Sequence, residues 1–167
     1  MIFMTYAKDQ VLLGVLRILM GWLFLWAFVD KLFGWGFATA PANAWIRGGS
    51  PTYGFLANSP KGPLKEIFNA MAGSGFVEWL FMLGLLGIGV ALMLGIGTKI
   101  AGYSGALLML LMWLAVLPPK QNPFLDDHIM YLIILLLFTR AAGCGTWIGL
   151  GKWWRRRGIV RKYSWLE

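Results

Sequence analysis

The chain contains a single histidine, His128, which directly follows two aspartates, Asp126 and Asp127. An imidazole titrates near neutral pH, and a neighbouring carboxylate can orient it and favour its protonated form. This cluster is therefore the first candidate for proton-transfer chemistry. The simpler alternative is that Asp126 or Asp127 caps a helix, because a carboxylate at a helix start accepts hydrogen bonds from free backbone N–H groups.

The other ionisable residues in apolar surroundings fall into two layers. Asp30, Lys31 and Glu78 lie level with the histidine, whereas Arg17 and Arg140 lie about 20 Å deeper along their helices. Charges inside a membrane are costly and usually face a bundle interior or a cavity. The alternatives are structural: Asp30 caps or pairs, Lys31 and Glu78 form an ion pair, and the two arginines extend to lipid phosphates.

Other kinds of reactive site are disfavoured by the composition. Cys144 is the only cysteine, which excludes an internal disulfide and a CxxC redox pair. We interpret this residue as incidental. One histidine and scattered carboxylates lack the ligand spacing of a metal site, so no metal is expected. No Walker loop or dinucleotide-binding motif occurs.

Four apolar segments would position these residues, at residues 11–29, 76–95, 100–117 and 127–142. Hydrophobic residues make up 59% of the 167 residues and charged residues 13%, a composition typical of a membrane protein. Each segment can cross a core of about 30 Å, the fourth only just. The sequence predicts an all-α integral membrane protein, a four-transmembrane-helix bundle forming a single domain over residues 1–167.

Basic residues predict the orientation. Six of them lie between Lys152 and Lys162, in a tail over residues 152–167, and the net charge is +8. An even number of spans puts both ends on one side, and the positive-inside rule makes that side the cytoplasm, with Lys8 and Lys99 joining the tail there. We expect the plasma membrane of a prokaryote, with the tail contacting anionic membrane lipid and no nucleic acid as partner.

The first loop, residues 30–75 (loop one), is long and rich in glycine, proline and aromatic residues. After Pro63, the residues Leu64, Ile67, Phe68 and Met71 recur at helical spacing, which predicts a short amphipathic helix. Such a helix lies either in the membrane interface or over the mouth of the bundle. We favour a lid over the mouth, because loops of this length in compact proteins are usually functional.

Small residues recur along the second and third segments. Gly84, Gly87, Ala91 and Gly95 form one stripe, and Gly102 with Ala106 begins another. Small residues at this spacing let membrane helices approach closely, so we expect both stripes to pack helices together. The tryptophan-rich and glycine-rich surfaces also permit a homo-oligomer.

Several motifs resemble the DoxX family, over nearly the whole chain. They are LRILMG (16–21), FLW (24–26), DKLF (30–33), WIRGGSPTYGFL (45–56), NPFLDDH (122–128) and GLGKWW (149–154). The last three narrow the likeness to the DoxD-like branch, the membrane subunit of thiosulfate:quinone oxidoreductase. The resemblance implies four spans, a membrane quinone as substrate or bound cofactor, and a second, DoxA-like subunit.

The resemblance also assigns candidate roles, because reducing a quinone takes two protons as well as two electrons. His128 and Asp127 are then the catalytic residues that supply protons, and Lys31 also attracts an anionic sulfur substrate. Trp22 and Trp26 share a helix face with Asp30 and are candidates to hold the quinone ring. The full predicted quinone-binding set is Asp30, Lys31, Glu78, Asp126, Trp22, Trp26 and Arg17.

Two functions of other classes stay open. The chain is alternatively a non-catalytic membrane scaffold that anchors partner oxidoreductases, which predicts tolerance of substitutions around His128. A transporter of small solutes is a weaker hypothesis, because no pair of Gly- or Pro-interrupted spans stands out as an inverted repeat.

Overall fold

The structure is a computed structural model that describes residues 2–120, 122–141 and 144–167, with the backbone alone for residues 2–8. The side chain of Lys8 and the predicted end of the fourth apolar segment at Ala142 lie outside the described residues. Every regular element in the described residues is helical, which confirms the all-α prediction.

The longer helices are α1 (Ile2–Phe33), α4 (Gly75–Leu94), α5 (Thr98–Val116) and α6 (Asp127–Arg140). Loop one contains α2 (Tyr53–Asn58) and α3 (Lys65–Ala70), and the tail contains α7 (Gly151–Arg155) and α8 (Gly158–Lys162). Single 3-10 turns lie at Pro41–Asn43, Trp45–Arg47, Gly62–Leu64 and Ser164–Leu166. We call the end of the bundle that carries loop one the loop-one end and the opposite end the tail end.

Three helices in the described residues are long and apolar enough to cross a membrane: Asp9–Phe33 within α1, then α4 and α5. Helix α6 has 14 residues, about 21 Å of helix against a hydrocarbon core of about 30 Å. The structure therefore gives three candidate spans, and the fourth predicted span stays a prediction.

Two tight helix pairs, α1 with α4 and α5 with α6, build the bundle, and α4 joins them through a smaller contact with α5. Glycines make each pair tight. A Cβ atom added to Gly89 would lie 2.8 Å from the backbone nitrogen of Leu25, and one added to Gly102 would lie 2.7 Å from the carbonyl oxygen of Leu135. Backbones this close gain dispersion contacts that lipid cannot supply.

The predicted packing stripe on α4 is wrong at two positions. A Cβ atom added to Gly84 or Gly87 would meet no atom within 4 Å, so neither glycine packs against another helix. The contact with α1 is made instead through Gly89, which was not in the predicted stripe. The stripe on α5 is confirmed, because Gly102 contacts α6 and Ala106 is buried in the core.

Loop one folds back over the bundle at the loop-one end. The predicted amphipathic helix is present as the turn Gly62–Leu64 followed by α3. Phe68 packs in a cluster with Leu56 and Ala115, whereas Ile67 is 60% exposed, so only part of the predicted apolar face is used. The backbone N–H of Lys61 donates a 2.9 Å hydrogen bond to the carbonyl of Ala115, which ties loop one to the end of α5.

The tail is folded against the start of α5. The Nζ atom of Lys99 lies 3.4 Å from a carboxylate oxygen of Glu167 and donates to the carbonyl of Ser164 at 2.9 Å. The indole of Trp154 donates to the carbonyl of Leu166. These contacts hold the basic residues of α7 and α8 at the tail end.

A pair of alanine substitutions on α4 tests the packing. Gly89→Ala should lower stability by about 1–3 kcal/mol, because its methyl group overlaps the α1 backbone. Gly87→Ala should be neutral or stabilising by up to about 1 kcal/mol, because it adds helix propensity in open space. Thermal unfolding in mild detergent measures both, and equal melting temperatures for the two variants would contradict the helix contact.

Candidate functional site

A cavity of about 420 Å³ lies between α4 and α5 beneath loop one. Its helical walls are Val77, Leu80, Phe81, Gly84 and Ile88 of α4, and Ser104, Leu107, Leu108, Leu111 and Met112 of α5. Loop one contributes Pro51, Thr52, Phe55, Leu56, Phe68 and Met71, and α1 contributes Lys31. The cavity is thus almost wholly apolar, with a volume and character typical of a small-molecule site.

Lys31 is the only charged residue among the described ones that line this cavity. It is half-buried and forms no ion pair in the described part of the chain, although the negative charge of Asp30 acts on it. The ion pair proposed between Lys31 and Glu78 is wrong, because their charged groups do not come within 4 Å of each other, and Glu78 accepts a hydrogen bond from the hydroxyl of Ser50 instead. A cationic donor facing apolar walls favours a ligand that brings an acceptor oxygen.

Thr52 also lines the cavity. Its side chain is 5% exposed, and its buried hydroxyl has no hydrogen-bond partner within the described residues. A buried hydroxyl without a partner costs about 1–3 kcal/mol, which a ligand oxygen would recover. Lys31, Thr52 and Ser104 are the polar side chains among the described residues that line the cavity, while Phe55, Phe68 and Phe81 supply aromatic surface.

Asp30 lies next to Lys31 in sequence but is committed to loop one. Its side chain is 1% exposed, and its two oxygens accept hydrogen bonds from the backbone N–H groups of Phe37 (3.3 Å) and Ala38 (2.9 Å). The carboxylate therefore fixes the turn that follows α1. It does not line the cavity, so the structure favours the capping alternative over the predicted quinone contact.

The two tryptophans predicted to hold a quinone ring lie elsewhere. Trp22 is 50% exposed, and Trp26 contacts Trp22, Trp35 and Phe37 at ring-centroid distances of 5.8, 5.6 and 5.1 Å. Neither residue lines the cavity. They form an aromatic cluster on α1 and the start of loop one.

His128 lies in a second, more polar cleft of about 400 Å³. The cleft is formed by the end of α2, the end of α5 and the start of α6, and its polar lining is Asn58, Ser59, Lys61, Lys120, Asp126, Asp127 and His128. Helix α2 lies beside both sites, because Thr52, Phe55 and Leu56 line the apolar cavity and Asn58 and Ser59 line the cleft.

Asp126, not the predicted Asp127, is the partner of the histidine. The Nδ1 atom of His128 lies 2.7 Å from Oδ2 of Asp126. The other carboxylate oxygen accepts hydrogen bonds from the backbone N–H groups of His128 and Ile129, at 3.1 and 3.4 Å. Asp126 therefore also caps α6, as the simpler alternative predicted. A carboxylate that carries its charge only accepts hydrogen bonds, so Nδ1 of His128 is then the donor to Asp126.

Arg17 is fully buried at the tail end and is not available to a ligand in the cavity. Its five N–H groups donate to the backbone carbonyls of Leu92, Met93 (3.2 Å), Cys144 (3.2 Å), Trp147 (3.1 Å) and Ile148 (2.9 Å). Two of these carbonyls belong to the last turn of α4, where no intrahelical donor remains. The prediction that Arg17 extends to lipid phosphates is therefore wrong, whereas Arg140 is exposed.

Cys144 is buried beside this network, with 2% of its side chain exposed. Burial raises the pKa of its thiol, and the nearby charges of Arg17 and Arg155 act in the opposite direction. Because the thiolate is the reactive form, a buried thiol of raised pKa is a poor nucleophile.

Sequence reasoning identified Lys31 and the His128 cluster but missed most of the apolar cavity. Thr52 and Phe55 lie in the WIRGGSPTYGFL motif, which carried the family resemblance without indicating which side chains face inward. Gly84 was assigned to helix packing although it lines the cavity. The lysines of the cleft, Lys61 and Lys120, gave no signal because exposed lysines are common in loops.

The chain matches no protein-family model, no curated protein and no solved structure. The resemblance to the DoxX family therefore rests on its sequence motifs alone.

Replacing Arg17 should open the tail end, with Cys144 as a built-in reporter. In Arg17→Lys, an ammonium with three donors cannot serve five carbonyls, so local opening should become more frequent. We expect maleimide labelling of Cys144 in detergent to be roughly tenfold faster or more, given that hydrogen bonds to a charged group contribute about 1.5–3 kcal/mol each. Arg140→Lys is the matched control, and equal labelling rates in the two variants would contradict the proposed role of Arg17.

Proposed function

We propose that this chain is the quinone-binding membrane subunit of an oxidoreductase that acts on thiosulfate or a similar sulfur compound. The observation that carries the proposal is the apolar cavity between α4 and α5, whose wall includes the ammonium-bearing side chain of Lys31 and the side chain of Thr52, with a buried hydroxyl that is unpartnered in the described residues. A quinone has matching chemistry, because its ring is apolar and its carbonyl oxygens accept hydrogen bonds.

Within this proposal, the chain's own residues bind the quinone and handle protons. Lys31 and Thr52 donate to the quinone oxygens, and the phenylalanines of the cavity pack against the ring. His128, oriented by Asp126, exchanges protons with water in the cleft. Leu56 of the cavity and Asn58 of the cleft are two residues apart in α2, about 3 Å along the helix. The sulfur compound itself or a DoxA-like partner subunit supplies the electrons.

The same proposal includes the membrane layout. Helix α6 serves as the fourth span, and the bilayer thins locally around it to match its short length. Four spans put both ends of the chain on one side of the membrane. The basic tail, held at the tail end by the contacts of Lys99, makes that side the cytoplasm of a prokaryotic cell. Loop one, the cavity's polar end and the His128 cleft face the other side.

Bound quinone is the direct test of the proposal. The protein purified in mild detergent should yield quinone on organic extraction and mass spectrometry. Lys31→Met and Thr52→Val should each lower the amount retained, about tenfold for Lys31, because a hydrogen bond from a charged donor contributes about 1.5–3 kcal/mol. Lys65→Met, which replaces an exposed lysine of loop one, should retain the wild-type amount.

Absence of quinone from the wild-type protein, even after reconstitution with added quinone, would overturn the proposal. The chain would then be better explained as a scaffold that anchors partner oxidoreductases. Full retention of quinone in Lys31→Met would remove the cavity from the proposal.

Substitution of His128 separates proton transfer from binding. Because His128 lines the cleft and not the cavity, His128→Ala should retain bound quinone but slow quinone reduction by the intact complex by about 100-fold, the lower range for general acid–base catalysis. Asp126→Ala should slow it as well, since the imidazole loses its orienting partner, whereas Asp127→Ala should have a smaller effect. Unchanged turnover in His128→Ala would rule out the proton-transfer role.

A further inference from the structure

We propose that the quinone enters the cavity sideways from the bilayer and that its hydrocarbon tail lies along α4 at Gly84. The site would then select tailed quinones over the bare ring. This inference rests on the proposed function, because it concerns the part of the same ligand that Lys31 and Thr52 do not contact.

Gly84 leaves space in the cavity wall where any other residue would place a side chain. Glycines that serve packing in this bundle have backbone close by, as at Gly89, where an added Cβ would lie 2.8 Å from the nitrogen of Leu25. A Cβ atom added to Gly84 would meet no atom within 4 Å, although the residue lines the cavity. The missing side chain therefore widens the cavity and does not bring two helices together.

The cavity is open on the side that lipid would cover. Leu80 of α4 and Leu107 of α5 both line it, and they are 62% and 57% exposed. Both helices are apolar enough to cross a membrane, so the gap between them faces hydrocarbon and not water. A ligand dissolved in the bilayer can therefore reach the cavity without crossing loop one.

Two of the three polar side chains of the cavity, Lys31 and Thr52, lie at the loop-one end, and the third, Ser104, lies deeper on α5. The α4 wall is apolar from Val77 to Ile88, roughly 16 Å along the helix. Past the two donors, the α4 wall offers only hydrocarbon and the gap at Gly84. This shape fits an elongated amphiphile with acceptor oxygens at one end and a hydrocarbon chain behind them.

The test compares two quinones that share a ring. Geranylgeranyl-tailed menaquinone and menadione, which has the same ring without the tail, are titrated by tryptophan quenching into the wild-type protein in nanodiscs of phosphatidylethanolamine and phosphatidylglycerol. The variants are Gly84→Leu, which fills the gap, and Gly87→Leu, which adds the same side chain to open space outside the cavity. Because all proteins share one type of nanodisc, partitioning of the tail into lipid cancels between variants.

We expect Gly84→Leu to weaken binding of the tailed quinone about tenfold or more while menadione binds as in the wild type, because only the buried tail is displaced. Gly87→Leu should match the wild type for both quinones. Retained menadione binding shows that Gly84→Leu is folded. If Gly84→Leu does not fold, Gly84→Ala, which adds one methyl group, replaces it in the comparison.

Equal weakening of both quinones by Gly84→Leu in folded protein, or no weakening of either, would overturn the tail path and leave the quinone site standing. If the wild-type protein binds neither quinone, the proposed function is overturned as well. This holds whether or not the protein binds a fatty acid such as oleate.

Discussion

The guanidinium group of Arg17 holds the tail end of the bundle together. It is enclosed in protein and donates to five backbone carbonyls, two from the last turn of α4 and three from residues 144–148. The bonds to the carbonyls of Leu92 and Cys144 are buried, and a buried carbonyl left without a donor would cost about 1–3 kcal/mol. One side chain of α1 thereby fixes where α4 ends and where the chain turns after α6. The positions of the two helix pairs depend on that joint.

Glycines make both helix pairs tight, α1 with α4 and α5 with α6, whereas the contact between the two pairs is looser. Gly89 lets α4 approach α1, and Gly102 lets α5 approach α6, to distances that a single methyl group would prevent. Helix α4 meets α5 through a smaller contact, and there the space left at Gly84 opens into the apolar cavity. Close packing elsewhere therefore confines the ligand-sized space to one seam, beneath loop one.

At the loop-one end, the acidic side chains are mostly occupied by neighbours. Asp30 accepts two backbone N–H groups, Asp126 caps α6 and pairs with His128, and Glu78 accepts from Ser50. Among the described residues, Lys31 is thus left lining the cavity without an ion pair, with the charge of Asp30 acting on it from the neighbouring position. This imbalance gives the cavity a cationic end, and it links the electrostatics of loop one to the kind of ligand that the bundle can hold.

The sequence by itself determined the helical class, three of the spans, the short helix of loop one and the residues near which chemistry is expected. These features follow from apolar length, from helical spacing and from the cost of charge in lipid, all of which are local properties of the chain. Only the tertiary structure decided that His128 pairs with Asp126, that Arg17 is buried, and that Lys31 shares a cavity with Thr52. It also decided that Gly84 makes space where Gly89 makes contact. Each of these outcomes depends on which distant segments meet, because an added methyl group or an unpaired donor is costly only where another segment lies against it.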